Sequence, residues 1–164
     1  MLFRSDIECC SPEGGFISIW IGLAHTSVRS ALKLISRSHA FGSTLQEQAH
    51  THGCRRGKAT DADVLSWARA IDPSAQLIVP RLRNGDALVF DGRLWHGSDN
   101  LQRIFTRTAL LLQYARADRP VRMYDPQHVE WPLRTRQDRL PPVIVVSGVA
   151  AEGVNEAVYF SQRV

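Results

Sequence analysis

Between residues 75 and 115 the chain is a succession of short apolar runs, each shut off by a turn-former. "AQLIVP" leads to a turn at Asn84-Gly85-Asp86, "ALVF" to a second at Asp91-Gly92, and "TRTALLLQYA" (106 to 115) follows. Several short strands, each closed by Gly, Asn or Asp, describe an antiparallel sandwich or barrel.

The upstream half fits the same plan. "GGFISIWIGL" opens on a glycine pair and is rich in Ile, Phe and Trp, which predicts a buried strand over 16–23. Leu32 and Leu34 alternate with Lys33 and Ser36, which predicts a half-buried strand over 31–36, ended by Phe41-Gly42-Ser43. Residues 44–58 are polar and read as a surface excursion outside the core. "DADVLSWARAID" offers Asp61 as an N-cap, Val64, Leu65, Ala68 and Ile71 at helical spacing, and a stop at Asp72-Pro73. One short helix over 61–71 is expected. Further strands are expected over 86–90 and 106–114, and one more in "PPVIVV" beyond a proline-broken, arginine-rich stretch.

The 164 residues are about one domain's worth. Their net charge of +4 comes from arginines scattered along the chain, with Cys-Arg-Arg-Gly-Lys (54–58) and the run from Arg134 to Arg139 the densest spots. No aromatic residues interleave with them for base stacking, so a solvated basic surface is expected and nucleic acid is not. Such a surface suits an anionic substrate or cosubstrate. Cys9, Cys10 and Cys54 are odd in number with no paired spacing, against both a disulfide framework and a zinc site. A cytoplasmic location fits. "FISIWIGLA" and "PPVIVVSGVAA" are too short to span a bilayer, and the N-terminus has no signal-peptide pattern.

His96 sits directly after an apolar strand, among turn-formers, in "GDALVFDGRLWHGSDN". Iron held by two histidines and one carboxylate keeps positions open for cosubstrate and oxygen. Such a triad takes a His-x-Asp pair from one strand, where i and i+2 share a face, and a distant histidine from another. Asp6 lies well upstream. Arg107 follows eleven residues after His96, where a guanidinium can grip a carboxylate with two prongs.

On "FISIWIGL", "LKLISRSHAFGS" and above all "GDALVFDGRLWHGS" with "RTALLLQY" after it, the chain resembles the phytanoyl-CoA dioxygenase-like branch of the iron(II) and 2-oxoglutarate-dependent oxygenases, over roughly residues 3 to 115. The resemblance implies a double-stranded β-helix, a cupin-like jelly roll that is mostly β, whose open end holds the metal. It implies His96 and Asp6 as iron ligands and Arg107 as the anchor for the far carboxylate of 2-oxoglutarate. Ser98 matches a hydroxyl that assists Arg107, and Trp20 an aromatic lining the same pocket. The activity implied is hydroxylation of a small organic substrate.

The first ligand of that pattern is a histidine two residues before the aspartate, and here Arg4 stands there. An arginine stays protonated and ligates no metal, and on a strand it shares a face with Asp6, so an ion pair is expected where metal belongs. His25, His39, His50 and His52 are not evident replacements. Only five residues precede Asp6, where the resemblance implies a substantial N-terminal region, so either the sequence is a fragment or the domain is trimmed and open, with exposed sheet edges that favour a homodimer or aggregation. Two functions stand: an oxygenase, and a metal-free jelly-roll binding or structural module. The expected organisation is an oxygenase-like domain over 1–118 and a C-terminal extension over 119–164 that packs on it or is partly irregular.

Overall fold

The computed structural model describes residues 2–6, 15–29, 32–55, 57–98, 105–125, 127–128, 131–132, 134, 136 and 140–159. Cys9 and Cys10 lie outside these, as does Ala31 at the start of one expected strand. The described chain is mostly strand with two α-helices. In order, the elements are β1 (Leu2–Arg4), β2 (Phe16–Ala24), β3 (Leu32–Ile35), α1 (Leu45–Thr51), α2 (Asp61–Ile71), β4 (Leu77–Ile78), β5 (Ala87–Asp91), β6 (His96–Ser98), β7 (Thr108–Ala115), β8 (Val143–Ile144) and β9 (Ala157–Val158).

Two small antiparallel sheets carry the architecture, a four-stranded one ordered β1-β6-β3-β4 and a three-stranded one ordered β5-β2-β7. The Ile-rich strand β2 is central in the second, with Trp20 opposite Leu88 on one side and Leu111 on the other. Its alternate residues Phe16, Ser18 and Trp20 are buried, the period of two expected of a strand with one covered face. The opposite face leaves Ile17, Val89, Leu110 and Tyr114 exposed. β8 and β9 pair in parallel, a departure from the wholly antiparallel plan.

One core forms where β3 and the residue before β6 meet the helices. Ile35, Leu45, Val64, Ala68, Ala75 and Trp95 pack together there, with Phe41 edge-on to Trp95 at 5.1 Å between ring centres. A second, smaller cluster of Trp20, Leu32 and Phe90 fills the space between the sheets. The Trp95 indole N–H donates to the Ser43 carbonyl at 3.0 Å, so a fully buried polar group is paired.

The helix over 61–71 has its expected bounds and a different cap. Thr60 is the N-cap and forms a reciprocal capping box with Asp63, while Asp61 is the first helical residue. Val64 and Ala68 are buried, while Ile71, the last residue of the helix, is exposed. The larger correction concerns residues 44–58. Leu45–Thr51 is a second helix, capped by the Thr44 hydroxyl, which accepts from the Glu47 N–H at 3.2 Å. Its Leu45 belongs to the core.

The C-terminal stretch is tied down by backbone and amide groups. Ala151 N–H donates to the Ala117 carbonyl, and the Asn155 side chain accepts from Val121 N–H while donating to the carbonyls of Val121 and Pro141. No helix among the described residues is long and apolar enough to cross a membrane.

Candidate metal and cosubstrate site

Asp6 reaches the interior because the chain just before it is clamped. Ser5 is fully buried, its N–H donates to Gln46 Oε1 at 2.9 Å, and its carbonyl accepts from Gln46 Nε2 at 2.9 Å. One side-chain amide thus satisfies both backbone groups of Ser5, as a neighbouring strand would. The Leu45 N–H adds a longer bond to Ser5 Oγ at 3.4 Å. The polar helix expected to be a loop is therefore what positions the carboxylate.

His96 is fixed from the other side. Trp95 is sunk in the core, its backbone N–H donates to Ser38 Oγ at 2.8 Å, and its carbonyl accepts from Ile35 N–H at 2.9 Å. Alternation along the strand then turns the next side chain, His96, away from that core and against Phe90, with ring centres 4.9 Å apart. The ring Nδ1 lies 2.9 Å from the Leu94 carbonyl. A carbonyl only accepts, so Nδ1 donates to it, and Nε2 is turned to the site, where it donates to Asp6 when the ring carries a second proton and offers a lone pair when it does not.

That Nε2 faces Asp6 Oδ1 at 3.4 Å. The other carboxylate oxygen accepts from the Ser18 hydroxyl at 2.7 Å. Arg4 is the cross-strand partner of His96 in the β1–β6 ladder, and its Nε–H donates to Asp6 Oδ1 at 3.0 Å. Burial, the largest single effect on Asp6, pushes its carboxyl upward. The hydrogen bond and charge of His96, the Ser18 hydroxyl and the Arg4 charge together outweigh it and hold the group well below the usual carboxylate range.

Arg107 lies one residue before β7, with its guanidinium carbon 5.6 Å above the centre of the Trp20 ring. Partial burial pulls its pKa down. Trp20 is two residues from Ser18 on the buried face of β2, so Arg107 and Asp6 lie over the same side of that sheet. Trp20 is also a core residue, packed with Leu32 and Phe90. Ser98 shares the His96 face of β6, two residues further on.

The remaining histidines lie elsewhere. His25 stacks on Phe105, His52 stacks on Trp67 and His128 Nδ1 lies 2.9 Å from Asp125 Oδ2, while His39 and His50 are exposed. Among the described residues no group of three or more His, Cys, Asp or Glu side chains is placed to hold a metal ion. The member of the site that sequence reasoning missed is Ser18. A lone hydroxyl in the middle of "FISIW", on the buried parity of the strand, was its signal.

A strand-rich domain that buries a carboxylate–imidazole pair at a strand end is of the kind non-haem iron oxygenases are built on. The family model of phytanoyl-CoA dioxygenase (PhyH) matches residues 3–104, more than half of the chain, and the chain belongs to that family. Its members are generally dioxygenases that depend on iron(II) and 2-oxoglutarate. Comparison with curated proteins and with solved structures found no match. Asp6, Ser18, Trp20, His96 and Ser98 fall inside the matched segment, and Arg107 lies just beyond it.

Proposed function

We propose that the chain is an iron(II) and 2-oxoglutarate-type dioxygenase domain, a jelly roll over 1–118 with residues 119–164 packed on it as an extension, acting on a small organic substrate. Arg107 holds the far carboxylate of 2-oxoglutarate, assisted by Ser98, and Trp20 lines the pocket beneath the guanidinium. Asp6 and His96 face the metal side. The convergence of Asp6 and His96 at 3.4 Å from distant parts of the chain, with His96 Nδ1 already committed to Leu94, is the observation that supports this reading.

The donor set falls short of the family's iron triad. It has one carboxylate and one imidazole, and the position of the third ligand is Arg4. The carboxylate oxygen that faces His96 already accepts from Arg4, and the other from Ser18. The buried side-chain atoms without a partner among the described residues are Thr26 Oγ1 and Asp61 Oδ1, neither of them at this site. The residues as arranged do not fit the triad, and no step through iron follows from them. What they do is anchor an anion and order a carboxylate–imidazole pair beside it.

A second reading, the metal-free binding module, is favoured by the Arg4–Asp6 contact itself. The test of the first is succinate formation from 2-oxoglutarate by the purified chain with iron(II) and oxygen. Turnover that disappears in Arg107→Ala supports the oxygenase. No succinate above that of the Arg107→Ala variant counts against it.

A further inference from the structure

We propose that the open edge of β7, together with the cavity beside it, is a binding site for an extended peptide segment of a partner protein. The segment adds to the sheet as a strand antiparallel to β7 and turns an acidic side chain toward Arg119. Neither the Asp6–His96 pair nor Arg107 takes part, so the proposal stands apart from the oxygenase reading.

The direction of the main-chain groups along β7 follows from its pairing. Arg116 N–H donates to the Gly15 carbonyl at 3.2 Å, which turns the main chain of residue 116 toward β2. Phe16, the cross-strand partner of Ala115, instead accepts at its carbonyl from Gly92 N–H at 2.8 Å, on the β5 side. Directions alternate along an antiparallel ladder, so the N–H and C=O groups of Gln113, Ala115 and Ala117 point away from β2. Among the described residues β7 has no strand on that side. The Ala117 carbonyl accepts from Ala151 N–H at 3.1 Å, whereas no hydrogen bond among the described residues reaches the outward main-chain groups of Gln113 or Ala115. Main-chain groups of this kind call for a partner.

The sequence leaves this edge undefended. Thr108–Ala115 reads TALLLQYA, without the charges or proline that keep natural sheet edges from pairing, and its Leu110, Leu111 and Tyr114 are exposed. A cavity of about 570 Å³, within the about 300–1,000 Å³ of ligand sites, is lined both by Gln113, Ala115 and Ala117 and by residues 141–147. That apolar run donates the N–H groups of Val143 and Val145 to the carbonyls of Glu156 and Val158, and so is paired with β9 and not with β7. An extended backbone is the ligand that matches alternating N–H and C=O groups beside an apolar wall.

Charge sets the polarity of the occupant. Beyond Ala115, Arg116 commits Nε and Nη2 to Asp118 at 2.8 and 2.6 Å. Arg119 also lines the cavity, and its side chain makes no hydrogen bond among the described residues. Two cations against one anion leave this end positive, which suits an acidic group. An antiparallel strand on β7 begins at this end, so the acidic residue stands near its N-terminus.

The experiment titrates the whole chain with acetyl-Glu-Val-Thr-Val-Thr-amide, by calorimetry and by amide magnetic resonance, beside one version N-methylated at both valines and one at both threonines. The expected result is saturable binding with the largest shifts at the amides of Gln113 and Ala115. One N-methylated version should bind at least about tenfold more weakly, and the other within about threefold of the parent, because only alternate residues of a strand bond a given neighbour. Ala115→Pro removes an outward N–H and leaves the β2 ladder its bonds, for a loss of about tenfold. Arg119→Gln should cost about threefold at low salt and less at high salt. The peptide arms decide the matter even if a variant fails to fold. No saturable binding up to about 1 mM, equal losses from the two N-methylated versions, or shifts away from β7 overturn the proposal. A dimer of the chain alone, with the Gln113 and Ala115 amides protected from exchange, places a second copy on the edge and overturns it too.

Discussion

The Nε of Arg4 lies 3.0 Å from the Asp6 oxygen that also faces Nε2 of His96 at 3.4 Å. One carboxylate oxygen is thereby shared between a permanent cation and an imidazole, and the stability of this corner depends on how well its other atoms are paired.

Ser18 supplies the other pairing. It is fully buried, and its hydroxyl bond to Asp6 Oδ2 is charge-assisted. Ser18→Ala leaves a buried carboxylate oxygen without its donor and should lower unfolding free energy by about 1.5–3 kcal/mol. Urea denaturation monitored by tryptophan fluorescence measures it, and an unchanged midpoint would mean that solvent replaces the hydroxyl.

Gln46 should matter more than an ordinary helix-surface residue. Gln46→Leu keeps the helical propensity and removes both bonds to the Ser5 backbone, at an expected cost of about 1–3 kcal/mol. Amide hydrogen exchange at Ser5 and Asp6 should accelerate while exchange in α2 stays as it was. Uniform acceleration across the chain would indicate global destabilisation in place of a lost clamp.

Trp95 separates packing from hydrogen bonding. Trp95→Phe retains most of the apolar volume but leaves the Ser43 carbonyl without its donor, for about 1–3 kcal/mol. Trp95→Ala also opens a cavity next to Ile35 and Leu45 and should cost about 3–5 kcal/mol. Equal losses in the two variants, by thermal or urea unfolding, would contradict this division.

The start of α2 predicts a pH dependence. The Thr60 side chain and backbone hold the Asp63 carboxyl below its ordinary value. A folded pKa depressed in this way contributes stability that is present above the unfolded value of about 3.9 and is lost as pH falls through the lower folded value. Thr60→Val should therefore destabilise at neutral pH, and the gap to wild type should shrink in acid. A gap of constant size from pH 7 to pH 2 would rule the capping box out as its origin.

The legible parts of this protein were the local ones. The bounds of α2 followed from apolar spacing and an adjacent Asp-Pro, and the presence of β2, β3, β5 and β7 from apolar patterning between turn-formers, with strand ends one or two residues from those expected. The second helix was missed because its composition is polar, although Thr44 followed three residues later by Glu47 is itself a helix-start pattern. The expectation that Arg4 would pair with Asp6 came from strand parity; the 3.0 Å contact forms, although β1 ends at Arg4 and Asp6 lies in a bend beyond it.

What the sequence by itself determined is whatever depends on near neighbours along the chain: where strands and turns alternate, which side chains share a face, and that an arginine precedes the aspartate by two residues. Only the tertiary structure decided that Gln46 would clamp Ser5, that Ser18 would complete the Asp6 carboxylate, and that β1 would pair with β6 in the register that sets Arg4 against His96. Strand pairing between distant segments is selected by the packing of the whole core and the pairing of its buried polar groups, and neither is encoded in any single stretch of residues.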